Sequence, residues 1–268
     1  MKLKVLISGS RGFIGKELIK VLRKKKISYL TLKTSWIKRN NFTYKNITHF
    51  LHLGFRIGTT KSNTSEKNIK KNLADIKTLC KKLNPNIRFI FISSIGVNCF
   101  KNTNKIFKNK YYYSKLKCEN YLIKNFKNYL IIRLPNVYGL NQKSNFLIPS
   151  IIKKLKKNKK MIKINNYDDN RDYIFLSDVV KIIISSFKIK NNFILNIFSS
   201  NVFSVYEVTK LIVKKLKIKN CNIIKLKKNS LFQKSYYLKR KNSNILNLKK
   251  FVRLENGISF IKKNSLLD

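Results

Sequence analysis

Val5-Leu6-Ile7-Ser8-Gly9-Ser10-Arg11-Gly12-Phe13-Ile14-Gly15 is a short apolar run closed by glycine. Beyond it Phe13, Ile14, Leu18, Val21 and Leu22 recur at helical spacing. The stretch reads as strand, tight turn and helix. Three of the eight glycines fall within these seven turn residues, Gly9 to Gly15. Glycine lets the backbone turn sharply and come close to a pyrophosphate, and the free amides that begin a helix supply donors and partial positive charge. Gly9, Arg11, Gly12, Phe13, Ile14 and Gly15 are therefore candidate ligands of a dinucleotide cofactor.

Strand patterns follow outward at Ile27–Leu32, Ile47–Leu53, Ile87–Ser93 and Tyr129–Leu134, with helical patterns at about 66–83 and 111–126. Such alternation implies an α/β fold with a parallel sheet and right-handed crossovers. After Gly139 the texture changes to a Lys-rich helix at about 146–158, a strand at Met161–Ile164 and a polar loop at 165–172. A helix from Asp178 to about Phe187, a sixth strand at Phe193–Phe198 and a helix at Val205–Leu216 follow. The six lysines between Lys153 and Lys160 are read as a solvated helix face.

The 268 residues carry 60 Lys and Arg against 11 Asp and Glu, a net charge of +49, with 43% hydrophobic residues. That apolar content suffices for a core and excludes a disordered chain. Nucleic acid is not an expected partner, because the lysines are spread through every part of the sequence and not gathered in a tail or stripe. Cys80, Cys99, Cys118 and Cys221 have no paired spacing, so reduced thiols in a cytoplasmic protein are expected. No apolar run approaches the roughly 18 residues of a membrane span.

Two further constellations carry chemistry. Tyr111-Tyr112-Tyr113-Ser114-Lys115 begins a helix, and residues four apart share a face, so an ammonium can sit beside a phenol and lower its pKa. Tyr111 with Lys115 and Tyr113 with Lys117 satisfy this spacing equally. Ser93-Ser94 ends the fourth strand, where open α/β sheets place their ligands.

Taken together and in order, these pieces resemble the extended short-chain dehydrogenase/reductase superfamily, and within it the NAD-dependent epimerase/dehydratase family that modifies nucleotide-activated sugars. The resemblance runs over about residues 3–216. It rests on the glycine turn, Phe50-Leu51-His52-Leu53-Gly54, Asn72, Phe91-Ile92-Ser93-Ser94-Ile95-Gly96-Val97 and Tyr111 to Lys115. Arg133-Leu134-Pro135-Asn136-Val137-Tyr138-Gly139, Arg171-Asp172-Tyr173-Ile174 and Asp178 complete it.

The resemblance implies a Rossmann-type doubly wound sheet. Residues 1–140 form a NAD(P)-binding domain and 141–268 a smaller substrate-binding lobe, with about 173–200 returning to the first. It implies Tyr111 and Lys115 as the catalytic pair, Ser94 as the catalytic hydroxyl, and Leu53 beside the cofactor. Asn136 and Arg171 fall where relatives hold the nucleoside diphosphate of the sugar. Asp178 is read as a helix N-cap. Relatives often pair through the helix bearing the Tyr and Lys, which makes a homodimer an open expectation.

Departures from the family pattern narrow the reaction. The 4,6-dehydratases follow the catalytic hydroxyl with an Asp-Glu pair, and here Ile95 and Gly96 follow; enzymes that also epimerise at C3 and C5 carry a cysteine where Gly96 stands. His49 and His52 are read as satisfied strand-end imidazoles. What remains is reduction of a 4-keto group, the favoured reading. The alternatives are 4-epimerisation and a catalytically silent relative. Lys33, followed by Thr34, Ser35 and Lys38, stands where NAD-selective relatives place an acid. With Arg11 it favours NADP(H) over NAD(H). Only thirteen residues separate Lys33 from Ile47, so the family's intervening strand is expected to be shortened or missing.

Overall fold

The structure of the protein, a computed structural model, describes residues 2–33, 37, 44, 46–57, 65–100, 109–226 and 250–264, with the side chains of residues 99 and 100 left out. Thr34, Ser35, Lys38 and the Cys99 side chain lie outside the described residues, as does most of the interval between Lys33 and Ile47. The chain divides into two compact units, Met1–Leu134 with Val180–Ile197, and Pro135–Val179 with Phe198–Asp268.

The first unit is built on a six-stranded parallel sheet. Its strands are β1 (Lys4–Ser8), β2 (Ser28–Leu32), β3 (His49–His52), β4 (Arg88–Ser94), β5 (Tyr129–Leu134) and β9 (Phe193–Asn196). They lie in the order β2-β1-β3-β4-β5-β9. Its helices include α1 (Phe13–Lys24), α2 (Glu66–Lys82), the short α3 (Ile95–Phe100) and α4 (Lys110–Asn125). Strand β4 reads as a continuous apolar run because six of its seven residues are buried, as a parallel strand covered on both faces requires. Helix α1 buries Gly15, Leu18 and Leu22, one stripe at helical spacing.

The chain leaves β1 toward β2 on one side and returns to β3 on the other. The carboxyl ends of β1 and β3 therefore frame a topological switch point, where ligands bind in sheets of this kind. The register aligns Ser8 with Leu32 on one flank and with His52 on the other. The core beneath includes Leu6, Phe50, Ile76, Phe89, Phe91, Leu122 and Ile131.

In the second unit, β6 (Asn136–Tyr138) pairs in parallel with β8 (Asn170–Phe175), and β8 pairs antiparallel with β10 (Val202–Ser204). Strands β7 (Met161–Ile164) and β11 (Asn222–Lys225) form a second ribbon. Helices α5 (Leu147–Lys157), α7 (Val205–Lys215) and α8 (Leu254–Asn264) share one apolar core with the strands. The Lys-rich helix α5 turns Ile148, Ile151 and Leu155 inward and leaves its lysines exposed.

The structure corrects two readings here. The expected polar loop at 165–172 gives way at Asn170 to β8, because Asp172 is carried inside by hydrogen bonds. Its carboxylate accepts from the Ser199 amide at 2.7 Å and from the Ser199 hydroxyl. Asp178 is not an N-cap. Helix α6 (Leu176–Ser186) begins two residues earlier, and the Asp178 carboxylate accepts from the Val252 amide at 2.7 Å.

Candidate active site

Gly9 adopts a left-handed backbone with φ of +75°, and a Cβ there would lie 2.5 Å from the Gly54 nitrogen. A Cβ at Gly15 would lie 2.3 Å from the Gly9 carbonyl oxygen, so these two glycines are required by the turn's own packing. Gly12 differs, since a Cβ would approach only the Gly9 oxygen, at 3.1 Å. Gly12 is the N-cap of α1 with no side-chain cap, its amide donates to the Gly9 carbonyl at 2.9 Å, and the first turn carries no acid. Phe13, Ile14 and Gly15 therefore present helix-start amides beside an approachable backbone, a donor set that fits a pyrophosphate. Arg11 is exposed on the same turn.

The turn is braced from below. The Leu53 amide donates to the Ser8 carbonyl at 3.1 Å, and the Ser8 hydroxyl lies 2.6 Å from His52 Nδ1. His52 is buried and stacked on Phe91; burial, and then the charges of Lys115 and Arg56, hold its pKa down to about 3. His49 meets the Thr48 hydroxyl at 2.9 Å and the Phe187 carbonyl at 3.0 Å, and burial lowers its pKa too. Both imidazoles are neutral spacers.

Ser93 and Ser94 part company in the structure. Ser93 is buried and its hydroxyl donates to the Glu119 carboxylate, whereas Ser94 is only half-buried at the end of β4. Helix α4 begins at the Asn109 cap, whose side chain accepts from the Tyr112 amide at 3.3 Å, and presents Tyr111 and Lys115 on one stripe. Lys115 is buried, and its ammonium donates to the Ile92 carbonyl at 2.7 Å. Tyr113 and Lys117 form the other pair of the same spacing, with the Lys117 nitrogen 4.7 Å from the Tyr113 ring centre and Lys117 itself exposed.

Sequence spacing misses Phe55. Its ring lies 3.7 Å from the Lys115 ammonium and stands edge-on to Tyr111 at 5.9 Å between centres. Phe55 is placed by its neighbour Arg56, whose backbone amide and carbonyl are both held by the Asn72 side chain, at 2.9 and 3.1 Å. The Arg56 guanidinium pairs with Asp75.

This packing reverses an expectation about the phenol. Lys115 directs its hydrogen bond to Ile92 and its charge to the rings of Phe55 and Phe91, and desolvation pushes Tyr111 up to about 12. Burial brings Lys115 down to about 7, partly opposed by Cys118 and Glu119. Tyr111 is accordingly a protonated donor at neutral pH.

Gly96 has a physical cause as well. A Cβ there would lie 2.2 Å from the Tyr112 ring, so that ring occupies the space a side chain at position 96 would need.

Asn136 and Arg171 lie in the second unit. The Asn136 side-chain amide donates to the Asp172 carbonyl at 3.2 Å, and Asp169 holds the Arg171 guanidinium at 2.7 and 2.8 Å. Asp169, missed in the sequence, is buried and orients Arg171.

Lys33 directly follows β2 and is exposed at the end of the sheet that carries the glycine turn. Beside it, a groove of about 680 Å³ between α1 and β2 is lined by Ser10, Arg11, Lys16, Lys20, Arg23 and Thr31 among others.

Comparisons with known proteins agree with this architecture. The chain is 26% identical over 229 residues to a GDP-6-deoxy-D-talose 4-dehydrogenase of Aggregatibacter actinomycetemcomitans, covering 77% of this chain and 78% of that one. It is 27% identical over 207 residues to a CDP-abequose synthase of Salmonella typhimurium, covering 66% and 67%. Among solved structures, RMD from Pseudomonas aeruginosa complexed with NADPH superposes with a TM-score of 0.78 at 16% identity over 98% of each chain. UDP-glucuronic acid 4-epimerase from Bacillus cereus, in complex with UDP-glucuronic acid and NAD, gives 0.74 at 20% identity over 97% and 99%. The model of the NAD dependent epimerase/dehydratase family matches residues 5–197, from β1 through β9, and the chain belongs to that family.

Proposed function

We propose that the protein is an NAD(P)-dependent nucleotide-sugar oxidoreductase that reduces a 4-keto group of a nucleoside-diphosphate sugar. One observation carries the reading. Tyr111 and Lys115 lie on one stripe of α4, and Lys115 bonds β4 at Ile92, two residues before Ser94, at the carboxyl end of the parallel sheet where β1 gives way to the bare glycine turn. The name of the 4-dehydrogenase relative describes the reverse of such a reduction.

Each residue then has a role. The amides of Phe13, Ile14 and Gly15 would hold the cofactor pyrophosphate, with Gly9 and Gly12 giving it access and Leu53 bordering it. When bound in reduced form, the cofactor would supply the hydride that the 4-keto carbon takes up. Ser94 donates a hydrogen bond to the sugar oxygen, and Tyr111, protonated at neutral pH, delivers the proton that oxygen needs as the carbonyl becomes an alcohol. Lys115 would hold the cofactor ribose and offset the charge of the phenolate that remains. Arg11 and Lys33 favour NADP(H), since a guanidinium and an ammonium pair with a 2′-phosphate that an acid would repel. The second unit is read as the substrate lobe, with Asn136 and Arg171 taking the nucleoside diphosphate.

Calorimetric titration with NADPH and NADH, followed by turnover assays at the nicotinamide absorbance band, tests this. Stoichiometric NADPH oxidation by a 4-keto nucleotide sugar is expected. Interconversion of two 4-hydroxy sugars with no net oxidation would identify an epimerase, and cofactor binding without either reaction a silent relative. Tyr111→Phe is expected to abolish turnover while leaving cofactor affinity within about 2-fold, and full activity in that variant overturns the assignment.

A further inference from the structure

Tyr111, Lys115, Glu119 and Leu122 form one stripe of α4, and two of them are tied to consecutive residues of β4. Lys115 donates to the Ile92 carbonyl at 2.7 Å, and the Ser93 hydroxyl donates to Glu119. The next residue of the strand is Ser94. Arg133 on β5 lies opposite Ser93 in the register and grips Glu119 with two hydrogen bonds, Nε at 3.1 Å and a terminal nitrogen at 2.5 Å. Ser93, Glu119 and Arg133 are all at least 95% buried.

Three polar groups this deep are weak evidence of a gain in stability. The desolvation of a buried ion pair offsets its attraction, and well-packed apolar replacements are often as stable. What an apolar cluster lacks is a defined distance. Helix α4 cannot slip by a turn, about 5.4 Å, without breaking both ties at once.

We propose that Glu119 is a positioning residue of this site: gripped by Arg133, it receives Ser93 and so fixes where β4 presents Ser94 to Tyr111 and Lys115. The inference rests on the functional reading above. It adds a buried carboxylate that touches neither substrate nor cofactor and acts through its neighbours. The negative charge one turn from Lys115 also favours the ammonium form, in the same sense as the geometry.

Two variants separate positioning from mere structural support. Ser93→Ala removes one tie and leaves the ion pair intact. The double variant Glu119→Leu/Arg133→Met replaces the pair without stranding a charge. For both, kcat is expected to fall about 10- to 100-fold, the loss that a displacement of about 1 Å produces, with the calorimetric Kd for NADPH within about 2-fold of wild type. In cofactor-free protein, amide hydrogen exchange across 92–97 is expected to quicken about 10-fold, with β1 and β3 unchanged. Ser93→Thr, which keeps the hydroxyl, is expected to restore kcat to within about 3-fold. A stable double variant with wild-type kcat, or Ser93→Ala with unaltered kcat and exchange, overturns the proposal alone. Exchange that quickens uniformly through the unit, with kcat and cofactor affinity falling together, also overturns it. A wild-type protein that binds NADPH and turns over no nucleotide sugar overturns the functional reading and the positioning role with it.

Discussion

Lys115 shows how a single residue bears the conflict between packing and chemistry. Its ammonium has one carbonyl and two aromatic faces for company, and burial lowers its pKa from 10.5 to about 7. The titratable groups that interact with it are Glu119 and Cys118 on its own helix and His52 on β3, with the Arg56–Asp75 pair one step further out, Arg56 acting on His52 and Asp75 on Cys118. Between about pH 7 and 10.5 the unfolded chain holds a proton at this lysine that the native state has released. Stability therefore rises with pH in that window, and the cost of the buried ammonium is fully present below pH 7. Cys80 and Cys118 are pushed up to about 12 and add an opposite slope above pH 9, so the useful window is pH 7 to 9. Urea unfolding of cofactor-free protein across that range should show a rise in stability that Lys115→Met removes; an unchanged slope in the variant sinks the argument. The Gly96 contact yields a second expectation. Gly96→Ala must displace the Tyr112 ring, so it should destabilise the protein by about 1–3 kcal/mol, and Tyr112→Ala in the same chain should relieve most of that cost. Additive losses in the double variant would mean that the cost at position 96 does not come from the ring.

At the scale of elements, the loop after β3 is held by α2. Asn72 satisfies both backbone groups of Arg56 and its side-chain nitrogen also lies 3.4 Å from the Ser114 hydroxyl, so one amide links the loop, α2 and α4. Asn72→Ala would leave those backbone groups without their partners, at about 1–3 kcal/mol, and release Phe55 from its seat over Lys115. Chemical denaturation measures the first effect and NADPH calorimetry the second; a variant unchanged in both would show that the clamp is idle. Asn72 is visible in the sequence only through resemblance, because nothing in its spacing tells which loop it will hold. The sheet was legible for a different reason. Strands β1, β3, β4 and β5 are buried runs set between turn residues and helical patterns, and local pattern and tertiary burial agree there, while β2 is an edge strand that buries only Leu32. Strand β8 escaped because Asn170, Arg171 and Asp172 look solvated until Ser199 arrives from elsewhere in the chain and the adjacent Asp169 takes the Arg171 guanidinium. Helix α8 has no counterpart among the sequence expectations, and its Gly257 is explained only by the fold, where a Cβ would meet the Tyr138 hydroxyl at 2.2 Å. Of the candidate site, the glycine turn and the Tyr-Lys spacing could be read directly. Phe55 and Glu119 could not, since their meaning lies in partners distant in sequence, and Asp169 could not because only burial shows that it, among the neighbouring acids, holds Arg171.

Over the whole molecule the charge balance is more lopsided than +49 suggests. Of the eleven acids, Asp75, Glu119, Asp169, Asp172 and Asp178 are buried, and each is engaged by a hydrogen bond or an ion pair within the fold. Nearly half of the negative charge is thus committed to holding elements in place and does little to offset the lysines at the surface. Lysines spaced over a folded surface repel one another more than they do in the expanded chain, and salt screens that repulsion, with a Debye length of about 10 Å at 0.1 M and about 3 Å at 1 M. Raising sodium chloride from 0.05 to 0.5 M should therefore raise the melting temperature by several degrees. A gain of about 1 kcal/mol corresponds to about 2–4 °C for a chain of this size. The buried Arg133–Glu119 pair will not weaken in parallel, because screening hardly reaches it. If repulsion is the dominant surface term, sodium chloride and a non-binding salt of equal ionic strength must act alike. A melting temperature that stays flat, or rises only with one anion, would point to specific anion binding in place of screening.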